Sequence, residues 1–338
     1  MKITRLGTYK TGFKYYKNKS EITNNDEIEK IKLLKIPPAY ENVTILNNKK
    51  IIAFGYDSKN RKQVLYNPAF IAKQNAKKYN KISASIKFFS KLKKKVAADL
   101  NGEAAEASDE KTMAIAVIIT LILTCGFRIG NKKYEKDNNS VGLTTLKYKH
   151  LKFENNKISI DFIGKKGVRN VAECDNKIIY EYLHNKYKNI TSSASSASSN
   201  SSVSGVSGDS KEEYIFSYDA NTKVITSNDV NEYLKSISIK YSKSDPIIIT
   251  TKDLRTWNAN TLFLTYYKNI RKLRCRKMNK GDTQDAKKID IDSEKIINKD
   301  IKAAIELVSE KLHNSYSICK KSYIDPKIIE DILRNIKQ

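Results

Sequence analysis

The chain has 338 residues, enough for one large or two ordinary domains, and its 40% hydrophobic content allows a sizeable core. A formal net charge of +26 points to a polyanionic partner, because lysine and arginine displace the counterions condensed on nucleic acid. The composition excludes other classes: the most apolar run, Met113 to Phe127, falls short of the ~20 residues a bilayer helix needs, the N-terminus lacks the apolar stretch of a secretion signal, and four scattered cysteines (Cys125, Cys174, Cys275, Cys319) suggest neither a zinc site nor a disulfide framework.

An intracellular protein without membrane segment, metal or disulfide is therefore expected, with Cys125 in the core. Lysine is also what AT-rich coding favours, so the placement of the nine arginines carries more information than the lysine total. In chain order, residues 1–75 read as a β-rich module. Asn42 to Leu46 and Ile51 to Phe54 are strands joined by an Asn47-Asn48 turn, Pro37-Pro38 marks a loop before them, and a short strand ends at Tyr66. Lysine-rich helices follow to about Val96, with Ile86, Phe89, Leu92 and Val96 at helical spacing. Ala97 to Glu110 is expected as a loop whose Ser108-Asp109 caps the apolar helix. Leu143–Leu151, Lys157–Ile163 and Val168–Glu173 read as three short strands, the last two a hairpin around Gly164-Lys-Lys-Gly167. Residues 191–210 are Ser/Ala/Gly-rich and are expected to be a disordered insertion. A second polar loop is expected over Arg276–Asp290. One helix stripe then runs through Ile297, Ile301, Ile305, Val308 and Leu312. The whole is an α+β chain: a small β-rich domain (1–75) and a larger, mainly helical domain (76–338) containing a short three-stranded sheet.

Four separated segments carry groups suited to breaking a phosphodiester without metal. That reaction needs a nucleophile, cations or fixed donors on the nonbridging oxygens, and an acid for the departing sugar oxygen. Arginine suits the second task, since its planar fork pairs with two oxygens and keeps its charge. Arg128 follows the apolar helix directly, where a cation either complements the helix dipole or meets an anion. Lys165 and Lys166 sit at the glycine-flanked hairpin tip, where an ordinary solvated lysine is the plain reading. Lys252 and Arg255 are three apart and share a helix face. Tyr323 lies in Leu312-His-Asn314-Ser-Tyr-Ser-Ile-Cys-Lys-Lys-Ser-Tyr323-Ile-Asp-Pro326; with twenty tyrosines in the chain, composition alone does not single it out.

Together these segments, with Lys35-Ile-Pro-Pro-Ala-Tyr40, Gly55-Tyr-Asp-Ser-Lys-Asn-Arg61-Lys-Gln63, Cys125-Gly-Phe-Arg-Ile-Gly130 through Tyr134, and Ser140-Val-Gly-Leu-Thr-Thr-Leu146-Lys147, stand in an order that resembles the compact type IB DNA topoisomerases of poxviruses and bacteria. The resemblance covers nearly the full chain. It implies a monomer clamping double-stranded DNA and relaxing it through a 3′-phosphotyrosine link, without cofactor or ATP. By the resemblance Tyr323 is the nucleophile and Arg128 and Arg255 clamp the phosphate. Lys165 is the general acid (Lys166 if the register slips), Lys252 is an accessory basic residue near the same proton path, and Asn314 is a donor to a nonbridging oxygen. Poxvirus enzymes carry His at the Asn314 slot, so hydrogen-bond donation is the role preserved there. His313 is expected to point elsewhere. Arg61, Gln63, Tyr66 and Tyr134 match DNA-contacting positions; Val64 replaces a poxvirus Tyr, so their sequence preference need not carry over. A tyrosine recombinase and a noncatalytic basic DNA-binding protein are the alternatives.

Overall fold

The computed structural model describes residues 2–102, 109–197, 212–241, 246–279 and 293–335. The chain divides into two compact units, Met1–Lys81 and Ile82–Gln338.

In the first unit a six-stranded antiparallel sheet places strands in the order Ser20–Glu21, Gly12–Lys17, Ile3–Thr8, Glu41–Ile45, Ile51–Tyr56, Lys62–Tyr66. The expected strands are present, and the Asn47-Asn48 turn between two of them is closed by the Asn48 side chain, which accepts from the Lys50 and Ile51 amides. Val43, Ile45 and Ala53 pack inward with Tyr15 and Ile31. Arg5 is 4% exposed and donates to the carbonyls of Ile36, Pro37 and Tyr40. A buried guanidinium must find acceptors, so this arginine explains why the Pro-Pro loop keeps its shape. It is a structural cation, not a ligand for phosphate.

The second unit has two cores. The larger is built round the helix Glu110–Thr124, where Asp109 accepts from the Thr112 amide as the N-cap; this helix is apolar on all sides because it is buried on all sides. Helices Ile86–Leu100, Lys177–Ala197 and Ser227–Lys240 and the three-stranded antiparallel sheet Leu151–Glu154, Lys157–Ile163, Arg169–Cys174 pack around it. The smaller core joins the helices Thr251–Asn279, Glu294–Lys311, Tyr316–Ser322 and Pro326–Arg334. Cys125 is buried in the larger core, as expected. No described helix is long and apolar enough to cross a membrane.

Four local expectations change. The helix Ile86–Leu100 runs through the start of the supposed 97–110 loop, since Asp99, fully buried, is held by Lys95 and by the Tyr233 hydroxyl at 2.5 Å. Leu143–Leu151 is not a strand: it forms two short turns of 3-10 helix, Leu143–Thr145 and Tyr148–His150, and the strand starts at Leu151. The helix Lys177–Ala197 covers the first part of the Ser-rich stretch expected to be disordered, and residues 198–210 lie outside the described residues. The helix Thr251–Asn279 continues past Arg276, leaving 280–290 of the expected polar loop outside them.

The two long helices of the smaller core are joined by charge. Asp300 is buried and faces Arg271 (3.3 Å) and Arg274 (3.0 Å). Asp300→Ala removes the carboxylate that both guanidiniums share, and breaking such a buried pair costs about 3–5 kcal/mol. The expected outcome is a clear fall in the denaturation midpoint, with a much smaller loss in Asp300→Asn, which keeps one acceptor oxygen; equal midpoints for Ala and wild type would refute it.

Candidate active site

Arg255 stands on the helix Thr251–Asn279 where the larger core ends, at Leu254, and the smaller begins, at Ala259. Its guanidinium bridges them. One NH2 group donates to the Gly126 carbonyl, at the end of the apolar helix, and the other to the Leu312 carbonyl, 2.7 Å, at the end of Glu294–Lys311. The remaining Nε–H points at the Tyr323 hydroxyl, 3.5 Å away, and the charge lies 5.4 Å from the Tyr323 ring centroid. Arg255 is 4% exposed. Burial works against its charge, while the Tyr323 phenol is the chief group favouring it. For Tyr323 the pull is opposite. Burial would raise its pKa, but Arg255 first, then Arg128, outweigh burial and hold it below the ordinary phenol value.

Arg128 reaches across to Asn314 and donates to its Oδ1. Arginine can only donate, so this contact fixes the amide orientation and turns Nδ2 away. That Nδ2 is buried and has no hydrogen-bond partner. A buried donor without acceptor is costly in a resting protein and useful where an anion arrives.

The Arg128 loop owes its path to glycines. Gly126 has φ +68°, and a Cβ there would stand 2.0 Å from the Lys311 carbonyl oxygen. Gly130 and Gly142 pack backbone to backbone: a Cβ on Gly142 would meet Gly130 Cα at 2.4 Å. Beyond Gly142, the Leu143 amide donates to the Arg128 carbonyl (3.0 Å) and the Thr144 amide to Ile129 (2.7 Å). This is why Leu143–Leu151 does not pair as a strand, and why two distant sequence blocks form one support. The Val141 amide also donates to Ile163 (3.0 Å), which ties the base of the lysine hairpin to the same support.

Sequence reasoning therefore placed Tyr323, Arg255, Arg128 and Asn314 in segments that do meet. It did not bring the lysines in. Lys165 and Lys166 are exposed on the hairpin tip, where Lys166 adopts φ +64°, and Lys252 is exposed in the first turn of its helix. None of the three ammonium groups has a hydrogen bond or ion pair among the described residues. In the first unit, Arg61 and Gln63 both hold Asp57 (2.9 Å each), and Asp57 is lowered to about 2, chiefly by the Arg61 hydrogen bond. Tyr66 is 38% exposed and stacked on Phe70, and Tyr134 is 64% exposed.

Two supporting residues went unread. Asn260 donates to the Tyr323 carbonyl (2.8 Å) and accepts from the Asp325 amide (2.8 Å), so it grips the backbone on both sides of Ile324. Asn258 donates to Leu123 (2.8 Å), holding the end of the apolar helix. The available signal was two asparagines within the Trp257–Phe263 stretch of a helix, since a poor helix former that is buried must be satisfied by something specific.

Residues 58–338 match the model of the eukaryotic DNA topoisomerase I catalytic core, and residues 12–57 the bacterial DNA topoisomerase IB N-terminal domain. The chain belongs to the type IB DNA topoisomerase family. It is 27% identical to the DNA topoisomerase 1B of Acanthamoeba polyphaga mimivirus over 92% of this chain and 81% of the relative. It is 24% identical to that of vaccinia virus (strain Copenhagen) over 91% and 82%, and 25% identical to the DNA topoisomerase 1 of rabbit fibroma virus (strain Kasza) over 96% and 89%. This topoisomerase is accordingly an isomerase acting on DNA, with viral relatives, and the matches favour that activity over recombination or noncatalytic binding.

Proposed function

We propose that this topoisomerase nicks duplex DNA as a monomer through Tyr323. The observation that carries the reading is a tyrosine hydroxyl biased toward its anion beside Arg255, with Arg128 and the unsatisfied Asn314 amide at the same place. Tyr323 attacks phosphorus as its phenol proton passes to solvent, and takes the 3′ phosphate; the P–O5′ bond breaks and the 5′ oxygen leaves with a proton from Lys165. Arg128 and Asn314 Nδ2 hold nonbridging oxygens of the crowded phosphorane. Arg255 stabilises the phenolate and shares the negative charge. The phosphotyrosine keeps the free energy of the broken bond, so the 5′ hydroxyl can return without ATP. Strand swivelling between the two steps relieves supercoils.

Lys165 is the proposed general acid. Its hairpin is anchored at Ile163 to the support of the Arg128 loop, while its ammonium stands free at the tip. DNA must draw it in. Lys166 takes the role if the register shifts, and Lys252 assists the same proton path. Lys165→Ala is expected to slow cleavage about 10²–10⁴-fold, the usual contribution of general acid catalysis. With a sulfur in place of the bridging 5′ oxygen the defect should largely vanish, since a thiolate leaves without protonation. An equal defect on both substrates would remove Lys165 from the role.

Arg61, Gln63, Tyr66 and Tyr134 are proposed to touch the DNA, with residues 1–75 acting as a clamp domain and 76–338 as the catalytic domain. Arg61 and Gln63 would exchange Asp57 for DNA, or read DNA while oriented by it. The protein would act inside a cell or virion. Relaxation of a supercoiled plasmid, and an adduct trapped by SDS from an oligonucleotide duplex, test the whole scheme; salt-sensitive binding without adduct would overturn it.

A further inference from the structure

His313 was expected to point away along a helix. It is not helical: with φ +50° it stands in the left-handed region between Leu312 and Asn314. That conformation is strained for a residue with a Cβ, and glycine adopts it freely. The turn itself is held by the end of the helix Glu294–Lys311, where the His313 amide donates to the Glu310 carbonyl (3.0 Å) and the Asn314 amide to that of Ser309 (2.9 Å); the direction of the imidazole is set by what it touches.

What it touches is the other half of the site. Nε2 lies 3.0 Å from the Cys125 carbonyl oxygen, so that nitrogen carries the proton and donates. The ring stacks on Phe127 at 5.2 Å between centroids, with 20° between planes. Phe127 in turn meets Phe162 edge-on at 5.0 Å, three residues before Lys165 on the hairpin. Cys125 and Phe127 flank Gly126, whose carbonyl is held by Arg255, and they precede Arg128 directly. The imidazole is half-buried. Burial lowers its pKa, the bond to Cys125 opposes this, and Arg255, Arg128 and Lys311 add to burial. A neutral ring donating from Nε2 adds no further positive charge near Arg255 and Arg128.

We propose that His313 is a positioning residue of the cleavage reaction. It bolts the loop carrying Asn314 to the loop carrying Arg128, so that the Asn314 amide and the Arg128 guanidinium keep the separation that one phosphoryl group requires. The inference rests on the clamp roles of Arg128 and Asn314 proposed above. It does not make His313 an acid or a base; its ring faces Cys125 and Phe127.

The test uses the full chain with His313→Gly and His313→Gln. Glycine removes the bolt yet suits the left-handed backbone, so folding is not expected to suffer from the turn itself. Glutamine keeps an N–H donor of similar reach. Duplex binding is measured in a Tyr323→Phe background, and cleavage and religation in single-turnover experiments at saturating enzyme. His313→Gly should bind like its parent and cleave about ten- to a hundredfold more slowly, the scale of an ångström-sized misplacement. The loss should persist with a 5′-thio leaving group, because the defect is in the clamp and not in proton delivery, and His313→Gln should recover most of the rate. Wild-type cleavage by His313→Gly, equal losses in Gly and Gln, or a loss confined to melting temperature would each overturn the proposal. Absence of any adduct with the wild-type protein would instead overturn the cleavage scheme itself, so the two failures are distinguishable.

Discussion

Tyr323→Phe is expected to abolish relaxation and covalent adduct formation, a loss on the order of 10⁴-fold or more, because no other oxygen takes over the nucleophile's part. The fold should not register the change. The ring would still lie over the Arg255 charge, and the Tyr323 carbonyl would still accept from Asn260. The hydroxyl's contact with Arg255, at 3.5 Å, is long for a hydrogen bond and contributes little to stability. Melting temperature and duplex affinity should therefore match the wild type while the SDS-trapped adduct disappears. Relaxation by the Phe protein would place the nucleophile elsewhere, and the chain's other tyrosines would have to be searched.

The two arginines separate structure from chemistry. Arg128→Ala and Arg255→Ala should each slow cleavage at least about 10²–10³-fold, the usual effect of removing one preorganised donor from a developing oxyanion. Only Arg255→Ala should also destabilise the fold. It strips the Gly126 and Leu312 carbonyls of their donor at the junction of the two cores, and each orphaned buried group costs about 1–3 kcal/mol. Arg128, by contrast, bonds only the Asn314 side chain through its guanidinium among the described residues. Lysine at 255 would restore charge without the fork that reaches two carbonyls and the phenol together, so Arg255→Lys should remain slow and unstable. Thermal melts of the three variants beside single-turnover rates decide this. Equal stabilities for the 128 and 255 alanine variants would mean that the buried fork is not the joint between the cores.

Much of the site was legible because its chemistry is local. Arg128 stood out as a charge abruptly ending an apolar run, and the hairpin lysines as cations between glycines. Asn314 and Tyr323 were picked by order and spacing within the family motif. The strand reading of Leu143–Leu151 failed because a short segment does not reveal its partner. Its first two amides, of Leu143 and Thr144, bond to the Arg128 and Ile129 carbonyls, which no pattern within the run could announce. Asn258 and Asn260 were passed over, and His313 was set aside as pointing elsewhere, for the same reason: each acts on backbone carbonyls or amides, groups that every residue carries and that leave no mark in a sequence.

By itself the sequence determined the inventory: a basic chain, one unusually apolar helix, a lysine at a hairpin tip, an arginine directly after the apolar helix and another three residues after a lysine, a tyrosine near the C-terminus. Side-chain chemistry and short-range periodicity suffice for that. Only the tertiary structure decided that Arg128 meets Asn314 across 186 residues and that Arg255 meets Tyr323 across 68. Such meetings depend on how two cores seat against each other, and that is set by buried carbonyls seeking donors and by glycines that let backbones touch. Those forces act between distant parts of the chain, so they exist only once it has folded.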